Sequence, residues 1–322
     1  MESDLDGVTV PLDIDMVADT AQRIKDELHR VIVGKDELIE TLFSCLLAEG
    51  HILVEGNPGL AKTTITKLFA QTLGCTFNRQ QFTPDLLPAD ITGSYVFDQK
   101  TGEFYVRKGG IFANIVMVDE LNRATPRTQS ALLEAMEERN VTIEGTTFPL
   151  EKPFMVLATQ TTINVEGTFP LPEVQLDRFF VKMTLDYPST DEELQILNVK
   201  RAETLAITQV TDREALLRMI DIVRNVYVDE KVLAYIRDIV VSTRSHKDLM
   251  LPASPRASLA LLAMSRVRAA IRGRDYVIPD DVKANAYDVL NHRMLLSPES
   301  EIEGVTLEEV IAAILTEARP SA

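Results

Sequence analysis

His51-Ile-Leu-Val-Glu-Gly56-Asn-Pro-Gly-Leu-Ala-Lys62-Thr63 decides how this chain folds. The apolar run His51–Glu55 is short and ends in Gly56-Asn57-Pro58-Gly59, which predicts a buried strand closed by a tight turn. Helical spacing then runs from Lys62 to Leu73 and stops at Gly74. A glycine-rich loop between a strand and a helix N-terminus offers backbone N–H groups and the positive end of a helix dipole to an anion. The pattern is that of a phosphate loop, with Gly56, Asn57, Pro58, Gly59, Leu60, Ala61, Lys62, Thr63 and Thr64 as the expected cradle. In such a loop Lys62 reaches the β- and γ-oxygens of ATP and the Thr63 hydroxyl ligates Mg²⁺. One position departs from the pattern: the glycine that normally precedes the lysine is Ala61. Alanine costs little there if the backbone keeps a φ that an L-residue adopts.

Working outward, Ile115-Val-Met-Val118 is a second buried strand, and it ends in Asp119-Glu120. An acidic pair at the end of a strand beside a phosphate loop supplies a carboxylate for Mg²⁺, Asp119, and one to polarise the attacking water, Glu120. Helical spacing follows over Thr128–Arg139, and Phe154–Ala158 and Phe180–Leu185 are further strand candidates. Short apolar strands alternating with helices predict a parallel sheet covered on both faces. Beyond Tyr187-Pro188 the strand signals stop, and Thr190 with Glu193 reads as a capping box. Helices are expected over Asp212–Val226, Asp229–Thr243, Ser254–Arg272, Pro279–Leu290 and Thr306–Ala318. The expected division is an acidic arm over 1–20, an α/β core over 21–186 and a helical domain over 187–322. Two hairpins are expected inside the core, Ser94–Val106 with aromatic residues on both arms, and Val141–Phe148.

Composition narrows the function classes. The 322 residues are 45% apolar and 25% charged, ordinary globular usage. Lys and Arg number 33 against 49 Asp and Glu, a net charge of −16 that argues against a nonspecific nucleic-acid or anionic-membrane binder. No apolar run approaches the ~20 residues of a membrane span, and the first residues lack the cationic start of a signal peptide. A cytoplasmic location is expected. Cys45 and Cys75 sit in apolar contexts and read as reduced core residues, and the four histidines have no metal-ligand spacing.

The segments Gln81-Phe-Thr-Pro-Asp-Leu-Leu-Pro-Ala-Asp-Ile-Thr-Gly93, Asp119-Glu-Leu-Asn-Arg-Ala124, Gln129-Ser-Ala-Leu-Leu-Glu-Ala-Met136, Gln175-Leu-Asp-Arg-Phe179 and Ala253-Ser-Pro-Arg-Ala257 carry a specific resemblance. Together with the phosphate loop they make the chain resemble AAA+ ATPases, and within them the MoxR family. The resemblance implies an α/β fold: a P-loop AAA+ αβα core with a parallel sheet, followed by an all-helical lid domain. It implies a homo-oligomer, typically hexameric, that hydrolyses ATP to remodel client proteins, often ones with a von Willebrand factor A domain. By position, Arg178 matches the arginine finger that reaches a neighbouring subunit's nucleotide. Arg256 matches the lid arginine that contacts the γ-phosphate, and Val31-Ile-Val33-Gly34 matches the segment around adenine. The family's polar sensor after Ala158-Thr-Gln160 is usually Asn and here is Thr161, so the role falls to Thr161 or to Gln160. The resemblance also turns both hairpins toward a ring pore. Competing readings are a DNA-remodelling ATPase on the same fold and a nucleotide-binding scaffold without turnover.

Overall fold

The computed structural model describes residues 13–57, 59–161, 167–199 and 206–318. In chain order the elements are α1 (Ile14–His29), α2 (Asp36–Leu47), β1 (Ile52–Gly56), α3 (Lys62–Thr72), β2 (Phe77–Gln81), α4 (Pro88–Thr92), β3 (Gly93–Asp98) and β4 (Glu103–Lys108). They continue with β5 (Ile115–Asp119), α5 (Pro126–Glu138), β6 (Asn140–Ile143), β7 (Thr146–Pro149), β8 (Met155–Gln160), α6 (Glu173–Leu176) and β9 (Val181–Leu185). The remainder is α7 (Thr190–Val199), α8 (Arg213–Arg224), α9 (Glu230–Ser242), β10 (Leu249–Leu251), α10 (Pro255–Ile271), α11 (Pro279–Leu290), β11 (Leu295–Leu296), α12 (Pro298–Ile302) and α13 (Leu307–Glu317).

Five strands form one parallel sheet in the order β2-β5-β8-β1-β9. Its side chains alternate between two cores, as the period-2 pleat requires. Ile52 and Val54 point into a core shared with α1, α2 and α3, while Leu53, Val116 and Val156 point into a second core with α5. The first core runs without interruption into α8, α9, α10, α11 and α13, so the C-terminal helices are packed onto the α1 face of the sheet.

Three expectations are modified. Residues 14–20, expected in an acidic arm, belong to α1; Ile14 and Val17 are buried, and Asp13 caps the helix by accepting from the Met16 N–H. The lid is not wholly helical, because β10 and β11 pair as a small antiparallel ribbon. The reciprocal cap before α7 lies one residue earlier than expected: Ser189 Oγ accepts from the Glu192 N–H and the Glu192 carboxylate accepts from the Ser189 N–H. Asp212, Asp229, Ser254 and Thr306 cap α8, α9, α10 and α13 through their side chains, each worth about 1 kcal/mol. Among the cysteines, Cys45 is buried and Cys75 half-buried; both are free, and burial pushes the Cys75 thiol up to about 12.

Two histidines are structural. His51 Nδ1 accepts from the Val156 N–H at 3.0 Å, so Nε2 carries the proton and donates to the Met136 carbonyl at 3.0 Å. Burial holds the His51 pKa down at about 4 and that of His292 well below 6.5. Below pH 6.5 the unfolded chain therefore takes up protons that the folded chain refuses, lowering stability by about 1.4 kcal/mol per pH unit for each histidine. Asp288 opposes one of them, because burial and then Glu37 raise its carboxyl to about 6 and the folded state keeps that proton. The urea-unfolding free energy is expected to fall between pH 6.5 and about pH 5, and His51→Gln to flatten the profile. An unchanged slope in the variant would contradict a neutral buried imidazole.

Candidate active site

The C-terminal ends of β1, β5 and β8 lie side by side, where ligands bind in open parallel sheets. There a cavity of about 650 Å³ opens, lined by the phosphate loop, the strand ends, Val31–Val33, Lys35, Pro188 and Ile196. That volume suits a nucleotide.

Gly59, Leu60, Ala61, Lys62, Thr63 and Thr64 all line the cavity, as does Gly56. Asn57 takes part through its carbonyl, and Pro58 lies outside the described residues. Gly56 has φ +151 and its missing Cβ would meet the Leu185 carbonyl at 2.8 Å, so no other residue fits where the loop leaves the sheet. Ala61 caps α3 with φ +57, in the left-handed region. The condition under which alanine would be free of cost is therefore not met: the loop keeps the conformation glycine normally supplies, at about 1 kcal/mol. Ala61→Gly is expected to raise stability by up to about 1 kcal/mol, read as a higher urea midpoint at unchanged m. A lower midpoint would contradict the left-handed assignment.

The lysine of the loop bonds the loop's own carbonyls. The Lys62 ammonium donates to the carbonyls of Gly56 at 2.7 Å and Asn57 at 3.0 Å. Burial lowers its pKa while Asp119 counteracts that shift. Asp119, 8% exposed, accepts from Arg79 Nε at 2.5 Å. Glu120 has φ +58, and its carboxylate is held at the cavity wall by Gln81 Nε2 at 2.8 Å and Arg123 at 3.2 Å. Its backbone N–H donates to Thr159 Oγ1 at 3.0 Å. Arg79 and Gln81 come from β2, a strand that the sequence pattern does not disclose. Both line the cavity and contact the two carboxylates directly.

At the end of β8, Gln160 donates to Glu55 on the neighbouring strand, and Glu55 also pairs with Lys182 at 3.2 Å. Gln160 and Thr161 both line the cavity, but the Gln160 amide is already engaged. Val33 borders the opposite wall with Val31 and Ile32. Gly34 stands behind it with φ +63, where a Cβ would overlap the Glu192 carboxylate of α7. The metal-ligating candidates, the Thr63 hydroxyl and the Asp119 carboxylate, are a sparse oxygen set, and no group of three or more His, Cys, Asp or Glu suited to a metal exists among the described residues. Such a set fits Mg²⁺ arriving with phosphate oxygens rather than a resident ion caged by protein.

Arg178 and Arg256 do not line this cavity. Both pair with Glu137 of α5, Arg178 at 3.1 Å, and border a separate hollow of about 360 Å³. Arg256, expected at the γ-phosphate, stands beside Arg178 instead.

The chain matches the profile of the "ATPase family associated with various cellular activities (AAA)" over residues 51–181 and that of the "AAA lid domain" over 241–314. It is 45% identical over 295 residues to the uncharacterized protein YeaC of Bacillus subtilis, covering 90% of this chain and 92% of that one. It is 43% identical over 305 residues to Chaperone MoxR1 of Mycobacterium tuberculosis, covering 92% and 81%. The crystal structure of a candidate ATPase from Cytophaga hutchinsonii superposes with a TM-score of 0.91 at 37% identity, over 96% of this chain and 97% of that one. With its phosphate loop, acidic pair and lid in that arrangement, the chain belongs to the MoxR family of AAA ATPases.

Proposed function

We propose that the chain binds and hydrolyses ATP with Mg²⁺ in the cavity at the sheet edge, and that head-to-tail copies complete the site. The observation that carries this reading is the separation of its parts. Lys62, Thr63, Asp119 and Glu120 converge on one cavity, while Arg178 and Arg256 stand together outside it on Glu137. Two arginines outside the cavity of their own phosphate loop suit a role at a neighbour's phosphates, and a heterologous contact of that kind would generate a ring or spiral. A hexamer is the assembly proposed.

Catalysis then needs two exchanges in this chain. Lys62 leaves its loop carbonyls for the β- and γ-oxygens, and Arg79 yields Asp119. Thr63 and Asp119 would hold Mg²⁺, which supplies neutralisation of phosphate charge when bound. Glu120, steadied by Gln81, polarises the attacking water, and Thr161, just past the end of β8, supplies the polar sensor from the cavity wall. Phosphate release by the purified chain, abolished in Glu120→Gln with binding retained, tests the assignment.

The output proposed is chaperone-like remodelling of a partner protein in the cytoplasm, including partners with a von Willebrand factor A domain. On the β3–β4 hairpin Phe97 and Phe104 lie opposite one another with ring centroids 5.1 Å apart. They are 50% and 69% exposed, and Tyr105 is 50% exposed. Aromatic surface left in water on a two-stranded arm is suited to gripping a client. Tyr95 differs: it packs against the second core and its hydroxyl bonds Thr146 of the β6–β7 hairpin. Replacing Phe97, Phe104 and Tyr105 with Ser is expected to spare basal ATPase activity and fold while removing client-dependent stimulation. Stimulation that survives in the triple variant would move the client contact elsewhere.

A further inference from the structure

The guanidinium of Arg178 is weakly held for a group that must point accurately. Among the described residues its one ion pair is with Glu137, which it shares with Arg256, and its buried Nε has no hydrogen-bond partner. Direction must come from the backbone, and the residue before it is unusually constrained. Asp177 Oδ1 accepts from Arg293 Nε at 2.8 Å, and Oδ2 accepts from Ser254 Oγ at 2.8 Å. Ser254 in turn caps α10 by accepting from the backbone N–H of Arg256 at 3.1 Å. One carboxylate thus ties the segment carrying Arg178 to the first turn of the helix carrying Arg256.

Arg293, 4% exposed, completes the grip from the turn that follows α11. Its guanidinium donates to the carbonyls of Asp177 at 3.3 Å, Phe179 at 2.6 Å and Phe180 at 2.9 Å. His292 bonds the Phe179 carbonyl at 2.9 Å, and Asn291 donates to Lys182 at 2.9 Å. The backbone on both sides of Arg178 is therefore pinned by three consecutive residues of the lid. A cation buried this deeply is tolerated only when paired and fully bonded, and burial draws its pKa down to about 10 against the pull of Asp177. Nothing in this arrangement touches the chain's own nucleotide cavity.

We propose that Asp177 is the positioning residue for the arginine pair: gripped by Arg293 and Ser254, it sets Arg178 and Arg256 as one unit toward the neighbouring copy. Both grips come from the lid, so a displacement of the lid re-aims both arginines together. The inference rests on the reading of Arg178 as a group acting on a neighbour's ATP.

Arg293→Ala removes most of a buried network and is expected to compromise folding, so the test uses Asp177→Asn and Ser254→Ala. Asparagine keeps the shape and an acceptor but loses the charge. Each variant is expected to lower kcat by at least about tenfold with KM for ATP and fluorescent-nucleotide affinity within about twofold of wild type, and Ser254→Thr to restore the rate. The deciding measurement mixes Asp177→Asn with Glu120→Gln, beside a control mixture of Arg178→Ala with Glu120→Gln. A Glu120→Gln copy lends an intact finger to an Asp177→Asn copy with an intact Glu120, so activity should return toward about a quarter of wild type at equal mixing. Recovery in the control without recovery for Asp177→Asn would overturn the positioning role, as would wild-type kcat in Asp177→Asn alone. Failure of the control in confirmed mixed assemblies would instead overturn the action of Arg178 on a neighbour, and this inference with it.

Discussion

Arg178→Ala is expected to bind ATP as tightly as wild type and to hydrolyse it ~10³–10⁵ times more slowly, the range an arginine finger contributes in phosphoryl transfer. The size of the effect follows from where the charge acts. A guanidinium brought to the transferring phosphoryl group in a water-excluded site stabilises charge that develops only in the transition state, so its removal lowers kcat and leaves ground-state binding intact. Binding is spared for a second reason: Arg178 faces Glu137 and a hollow separate from the phosphate-loop cavity. Specific activity of the wild-type chain should also fall on dilution as copies separate. An Arg178→Ala variant that turns over normally would remove the residue from the reaction.

Lys62→Ala is expected to abolish ATP binding, with the fold retained. Lys62 is the cation of the loop, and its ammonium already rests against two loop carbonyls at the helix N-terminus, positioned to exchange them for phosphate oxygens. Without it, the Asp119 and Glu120 carboxylates stand at the loop with their existing partners Arg79 and Arg123, and no cation of the loop itself remains. Because α3 starts at Lys62 and its buried residues are Ile65, Thr66, Phe69, Ala70 and Thr72, truncation of the lysine leaves the core untouched. Isothermal titration with ATP checks this; affinity within about tenfold of wild type, or 1.4 kcal/mol, would contradict the phosphate-loop assignment.

The parts of this site that lie in contiguous sequence were legible, and the parts assembled by tertiary contact were not. The phosphate loop and Asp119-Glu120 announce themselves because each sits at the end of a buried apolar run, a signal that period and composition carry. β2 gave no such signal. Phe77-Asn-Arg-Gln-Gln81 is an edge strand laddered to β5 alone, with side chains half in solvent, so it neither alternates nor runs apolar. Arg79 and Gln81, which hold the two carboxylates, were missed with it. Arg178 and Arg256 are singled out by resemblance alone, and their meeting on Glu137 depends on how α10 packs against the core, which no local pattern encodes. The same holds for Asp177 and Arg293, 116 residues apart in sequence. Ala61 shows the reverse case: the substitution was visible, and its cost followed only once φ was known.

Phosphate release from ATP by the wild-type chain and by Glu120→Gln, measured beside nucleotide binding, tests the central claim most directly. Wild type should bind ATP and release phosphate, while Glu120→Gln should bind equally and release at least about a hundredfold less, because the amide cannot polarise water. Absence of ATP binding by wild type, or equal phosphate release by both, would contradict it.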